Sequence, residues 1–177
     1  MATQSDLYSS VTAFTLTGAS LADKAAREGT LIANSTNLHV DMLLSGKIVT
    51  GAAISSGNCY ILLSSSDATN ISYPATGADA GLTLSSQALA SMELLASPYV
   101  PPFQKVPGSE LVFFTKLATA GVAAGAAFTF QNLSVAAAFN GQIPIGGWAP
   151  VLVNMSGQTL SATATIFNWT GVKYTIA

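Results

Sequence analysis

Ionic side chains are what this sequence has least of. Six Lys/Arg and eight Asp/Glu make up 8% of 177 residues, against about 25% in an ordinary soluble domain. The six cations form no cluster, so no stretch could neutralise a row of phosphates, and nucleic-acid binding is not expected. A single cysteine, Cys59, excludes an intrachain disulfide framework and a cysteine-based zinc knuckle. No run approaches the roughly 18–20 apolar residues of a membrane-spanning helix. The most apolar window, 118–128, is broken by Gly121 and Gly125. The opening MATQSDLYSS has neither the basic nor the apolar segment of a secretory signal. Folding in a reducing cytosol, without secretion and without a membrane partner, is the expectation.

Apolar residues make up 50% of the chain, and Ser, Thr, Gly and Ala fill the place that charge leaves. This length is enough for one domain with a real core. The expected division is an N-terminal arm and first strand at 1–19 and a β-sandwich domain at 20–177. A free monomer ordinarily keeps a charged, self-repelling surface. A surface this poor in charge therefore suggests cover by neighbouring subunits, and symmetric self-association is the commonest arrangement for soluble oligomers.

The stretch from Phe128 to Ala177 organises the rest. Turn chemistry at Asn140-Gly141, Gly146-Gly147 and Ser156-Gly157 joins three strand-like runs. Leu160 to Phe167 alternates most cleanly, with Leu160, Ala162, Ala164 and Ile166 expected against a core and Ser161, Thr163 and Thr165 outward. Upstream, a first strand is expected at Tyr8 to Thr17 and a long one at Asn37 to Ile48, with Leu38, Val40, Met42 and Leu44 on one face. Cys59 to Ser65 reads as a central strand covered on both sides. Further strands fall at Glu110 to Leu117 and Ala126 to Gln131. Residues 66–81 read as a long loop, and Leu82 to Leu95 alternates only weakly before Pro98, Pro101 and Pro102. The single helix-like stretch is Leu21 to Glu28, capped by Ser20 or Asp23 and ended by Gly29, with an Asp23–Arg27 pair at i, i+4. This pattern predicts an all-β fold: one antiparallel, jelly-roll-like β-sandwich with at most one short helix.

Two segments carry a resemblance. SVAAAFNGQIPIGGWAPVLVNMSGQTLSATA (Ser134 to Ala164) and SLADKAAREGTLIANSTNLHVDMLLSGKI (Ser20 to Ile48) resemble structural proteins of tailed-bacteriophage virions, over roughly a third of the chain. The resemblance implies assembly rather than catalysis. Its most concrete form is a capsid decoration or cement protein in the virion, a homo-oligomer, most concretely a trimer, that bridges capsomers of the major capsid protein. A tail or fibre-base component and a carbohydrate-binding adsorption module are the alternatives.

Candidates for chemistry are few. His39 is the only histidine, and Asp41 two residues on would share its strand face. A catalytic pair would need a nucleophile such as Ser35 or Ser45 and an oxyanion site, and no G-x-S-x-G occurs. A surface or interface imidazole is the plainer reading. The acids stand singly, so no carboxylate pair for glycoside hydrolysis is indicated. Asp67 and Asp79, with Asn70, share a loop that could offer oxygen ligands to Ca²⁺, but no EF-hand spacing is present. No cofactor, metal or catalytic residue is expected, and the chain is read as a non-enzyme. Cys59 should be a buried, inert thiol. Five N-x-[ST] sequons, at Asn34, Asn70, Asn132, Asn154 and Asn168, follow from a Ser/Thr-rich composition. The residues expected at an interface are Asp23, Arg27, Trp148 and Trp169. The two tryptophans are either core and anchor residues or a stacking platform for sugar.

Overall fold

A computed structural model describes residues 4–36, 38–66, 78–95, 104–107, 109–117, 119–162 and 165–176. In chain order these contain β1 (Gln4–Tyr8), β2 (Thr12–Ala13), β3 (Ala25–Glu28), β4 (Asp41–Val49), β5 (Asn58–Ser66), β6 (Ala80–Leu82) and α1 (Ser86–Leu95). After these come β7 (Gln104–Lys105), β8 (Val112–Leu117), β9 (Ala127–Ser134), α2 (Val135–Ala138), β10 (Gly147–Met155) and β11 (Ile166–Ile176).

Two antiparallel sheets result. The first runs β1-β11-β4-β9, with β2 also on β11, and the second runs β6-β3-β10-β5-β8-β7. Setting aside the short β2, β6 and β7, the principal strands lie in the orders first–eighth–third–sixth and second–seventh–fourth–fifth. That is the double Greek key of a jelly roll. The expected all-β sandwich is the fold.

Alternation explains how the layers meet. Met42, Leu44 and Ile48 of β4 and Phe167 of β11 face Cys59, Ile61 and Leu63 of β5 and Trp148 and Leu152 of β10 in one inner core. Gly46 lies in that row because two rings need its space: a Cβ there would come 2.6 Å from Phe167 Cδ1 and 2.7 Å from Phe130 Cε1. The second sheet is buried on its other face too. Tyr60 and Leu62 of β5 and Val151 and Val153 of β10 pack with Ala88 and Met92 of α1, Val106 and Leu111. The expected central strand, covered on both sides, is therefore β5. Each fully buried aliphatic side chain of this kind contributes about 1.5–3 kcal/mol.

Several expectations are corrected. Leu21 to Glu28 is not a helix. Lys24 has φ +59°, in the left-handed region that interrupts a helix, and its N–H donates to Asn154 O at 2.7 Å. Residues 25–28 then extend as β3 beside β10, with Ala26 and Glu28 buried. The helices form at α1 and α2 instead. At α1, Ser85 Oγ accepts from Ala88 N at 3.1 Å, a capping contact, while Ala88 and Met92, four residues apart, bury one side against the sheet. The expected first strand splits into β1 and β2. The long strand begins at Asp41, and Leu38 and Val40 are exposed while Met42 and Leu44 are buried. In the 160–167 run Leu160 is buried, but Ile166 is exposed and Phe167 takes the inward place. Thr163 and Ala164 lie outside the described residues, as do 67–77 and the three prolines at 98, 101 and 102. Asn140 (φ +58°) and Gly141 (φ +89°) do make the expected reversal.

Candidate functional site

The four residues expected at an interface are scattered through the fold. Asp23 Oδ1 accepts from Gly157 N at 2.8 Å, tying the turn before β3 to the turn after β10. Arg27 does not pair with Asp23. On a strand, residues four apart point the same way but lie too far apart to pair, and Arg27 Nε instead meets Asp79 Oδ1 at 2.7 Å. Asp79 also accepts from Thr17 N at 2.9 Å and from the Thr17 hydroxyl. Burial alone would raise the Asp79 pKa. The hydrogen bonds from Arg27 and Thr17, and the guanidinium charge, outweigh burial and hold it below the usual carboxylate value. This carboxylate is thus occupied by its own chain, and Asp67, its suggested partner in a Ca²⁺ loop, lies outside the described residues. Among the described residues no three His, Cys, Asp or Glu side chains converge on a metal position.

Trp148 is wholly buried, with Nε1 3.0 Å from Met42 Sδ. It leaves no side-chain surface for a partner, and a platform made by both tryptophans does not exist. Trp169 is only partly buried. It stands at one end of the sandwich, where Phe167, Trp169, Gly171 and Lys173 alternate along the interior side of β11.

His39 meets that row edge-on. Its ring centroid lies 5.6 Å from that of Trp169 at an interplanar angle of 74°. The ring also covers Gly171, where any Cβ would collide with it. Asn34 clamps the backbone on either side of the imidazole: Oδ1 accepts from His39 N at 2.8 Å and Nδ2 donates to His39 O at 3.2 Å. The sequon at Asn34 is thus a structural clamp. Asn154, likewise buried, holds Leu21 O at 2.9 Å and Gln158 O at 2.7 Å.

The expected surface imidazole is therefore corrected to a buried one, 6% exposed, with Nδ1 lacking a hydrogen-bond partner. Burial, and then the positive charge of Lys173, lower its pKa from the ordinary value. The expected pairing with Asp41 is also corrected. Asp41 Oδ1 accepts from Met42 N at 2.7 Å and from Ala136 N at 2.9 Å, serving its own strand and the first turn of α2. Ser45 Oγ accepts from Asn132 N at 2.9 Å. No hydrogen bond joins His39 to Asp41.

Around His39 the end of the sandwich opens into a cleft of about 390 Å³, lined by Leu7, Tyr8, Ser9, Thr12, Trp169 and Lys173 as well as the imidazole. Leu7 stands opposite Lys173 and Tyr8 opposite Val172 in the β1–β11 register. Sequence reasoning found Trp169 and His39 one at a time. It had no means of joining them to Lys173, Ser9 and Thr12, because the cleft assembles residues from the two ends of the chain.

The outer side of β1 is a sheet edge. Ser9 N donates to Gly171 O at 2.9 Å, whereas Val172 O accepts from Val40 N at 2.9 Å, on the other side of β11. In an antiparallel ladder this alternation turns the N–H and C=O of Gln4, Asp6 and Tyr8 away from β11. Leu7, Tyr8 and Val11 are exposed along that edge, and Tyr174 beside it.

These features define a jelly-roll β-sandwich with a cleft at one end and, among the described residues, an unpaired outer edge at β1. No family model matches the chain, and neither a curated protein nor a solved structure matches it.

Proposed function

We propose that this chain is a non-enzymatic structural subunit that self-associates and sits on a larger particle, most concretely a decoration protein on the head of a tailed phage. In that role it would bridge capsomers, add buried area across their junctions and oppose internal pressure. The observation that carries the reading is that, among the described residues, no strand pairs with the outer side of β1. Natural edge strands are guarded by Lys, Pro, a bulge or a covering element. The segment 4–13, QSDLYSSVTA, has no Pro, Lys or Arg and a single charge, Asp6, and Leu7, Tyr8 and Val11 are exposed along it. An edge of this kind accepts a strand from another chain through main-chain hydrogen bonds.

The scarcity of charge supports the same reading, since a surface with few ionic groups gains by being covered. A jelly roll by itself hosts many functions, so the fold narrows the choice without making it. A trimer suits the local three-fold axes of an icosahedral shell.

Mass measurement under native conditions tests the assembly. Wild-type protein is expected as an oligomer, and Asp6→Pro as a folded monomer. Proline there removes an outward N–H while leaving the β11 ladder intact. A wild-type chain that stays single at high concentration and fails to co-sediment with assembled phage heads would overturn the proposal.

A further inference from the structure

We infer that the cleft at the end of the sandwich binds an acidic saccharide, a sugar ring carrying a carboxylate. Its lining is that of a site and not of a packing gap. Among the described residues Lys173 makes no ion pair with an acid, and no carboxylate lines the cleft. One uncompensated ammonium suits one negative charge. A phosphate or sulfate dianion would more readily call for several cations or a fan of backbone N–H groups, and neither is present in the lining.

The other walls select what accompanies that charge. Trp169 gives an apolar ring surface. Ser9 Oγ, which accepts from Gly171 N at 2.8 Å and donates to Ser10 O, and Thr12 Oγ1, which donates to Ser10 O, add acceptor oxygens to the wall. An acyl chain would be poorly served by so polar a wall. A pyranose has an apolar face for an aromatic ring and hydroxyls on its rim. Nine-tenths buried, His39 lines the same cleft with Nδ1 unpartnered. That atom packs against Gly171, so the imidazole shapes the wall of the cleft and does not itself meet a ligand. The volume, about 390 Å³, lies at the small end of the ligand range of roughly 300–1,000 Å³ and fits one or two sugar rings. The inference is independent of the assembly proposal: a monomer could hold the sugar as well as an oligomer could.

The chain carries its own reporter. Of its two tryptophans, Trp148 is wholly buried and Trp169 lines the cleft, so a fluorescence change on titration reports the cleft. The full-length protein is titrated with glucuronate, digalacturonate and trigalacturonate, and with neutral galactose and lactose as controls. The expected result is a saturable change with the acidic sugars that weakens as NaCl rises from about 50 to about 500 mM. Lys173→Gln should reduce affinity by about tenfold or more, the loss of a charge-assisted hydrogen bond. Trp169→Phe should abolish the signal while binding persists by calorimetry, and far-ultraviolet circular dichroism should show both variants folded. No saturable binding of any acidic sugar up to about 20 mM overturns the inference. So does equal binding of the neutral sugars, or an affinity unchanged in folded Lys173→Gln.

Discussion

The His39 ring occupies the space that a side chain on Gly171 would need. A Cβ built on Gly171 would lie 2.7 Å from Nε2 of the imidazole and closer still to Cε1 and Nδ1. The glycine is therefore fixed by its neighbour and not by its backbone angles. The same contact seats the only histidine beside Trp169 and Lys173 at the mouth of the sandwich.

Gly171→Ala should destabilise the protein by about 1–3 kcal/mol, the usual cost of overpacking, seen as a lower urea midpoint. The cost is specific to the imidazole, so it should shrink markedly when the same substitution is made in a His39→Ala background. Equal costs in the two backgrounds would show that the strain lies elsewhere.

Acid should loosen this end of the fold before it titrates most carboxylates. The His39 pKa is lowered in the folded state by burial and by Lys173, so the unfolded chain binds its proton first. The resulting stability is complete above about pH 6.5, the ordinary histidine value, and is lost as pH falls through the lower folded value. Urea midpoints measured between about pH 7 and 5 should decline in the wild type and stay nearly level in His39→Leu.

Asp79 gives a second, more acidic window. Its folded pKa is lowered, burial being outweighed by the hydrogen bonds from Thr17 and Arg27. Its stabilisation is therefore present above about pH 3.9 and disappears as pH falls through the folded value. Asp79→Asn should cost about 1–2 kcal/mol at pH 7 and flatten the acid limb of the stability curve. Differential scanning calorimetry across that range checks both effects.

Cys59 should resist modification as long as the fold holds. Burial pushes its thiol up to about 12, and the side chain is wholly enclosed in β5. Thiolate, the reactive form, is then almost absent at pH 8. Ellman's reagent should leave the native protein untouched over hours and titrate one thiol per chain in urea.

Met92→Ala tests the layer that sequence reasoning missed. Met92 is wholly buried between α1 and the second sheet, and truncation there should cost about 2–5 kcal/mol. A loss below about 1 kcal/mol would mean that α1 packs only loosely on β5 and β10.

Sequence by itself determined the fold class, because period-two alternation and glycine-bearing turns are local properties. The strand at Cys59 to Ser65 and the reversal at Asn140-Gly141 were legible for that reason. The Leu82 to Leu95 segment was not. Its helical side is only Ala88 and Met92, with Leu89 partly buried beside them, a pattern that gains meaning only with a sheet to cover. The reading of Leu21 to Glu28 as a helix failed on one residue, Lys24, whose left-handed backbone is set by its bond to Asn154, 130 positions away in sequence. Tertiary structure alone decided that Arg27 meets Asp79 instead of Asp23, and that Trp148 is core while Trp169 is at the mouth. It alone brought Ser9 and Thr12 beside His39 and Lys173. The physical reason is common to all of these: antiparallel pairing between distant strands sets which side chains meet, and pairing between the two ends of the chain, as of Gln4 with Ile176, leaves no mark on either partner's neighbours in sequence.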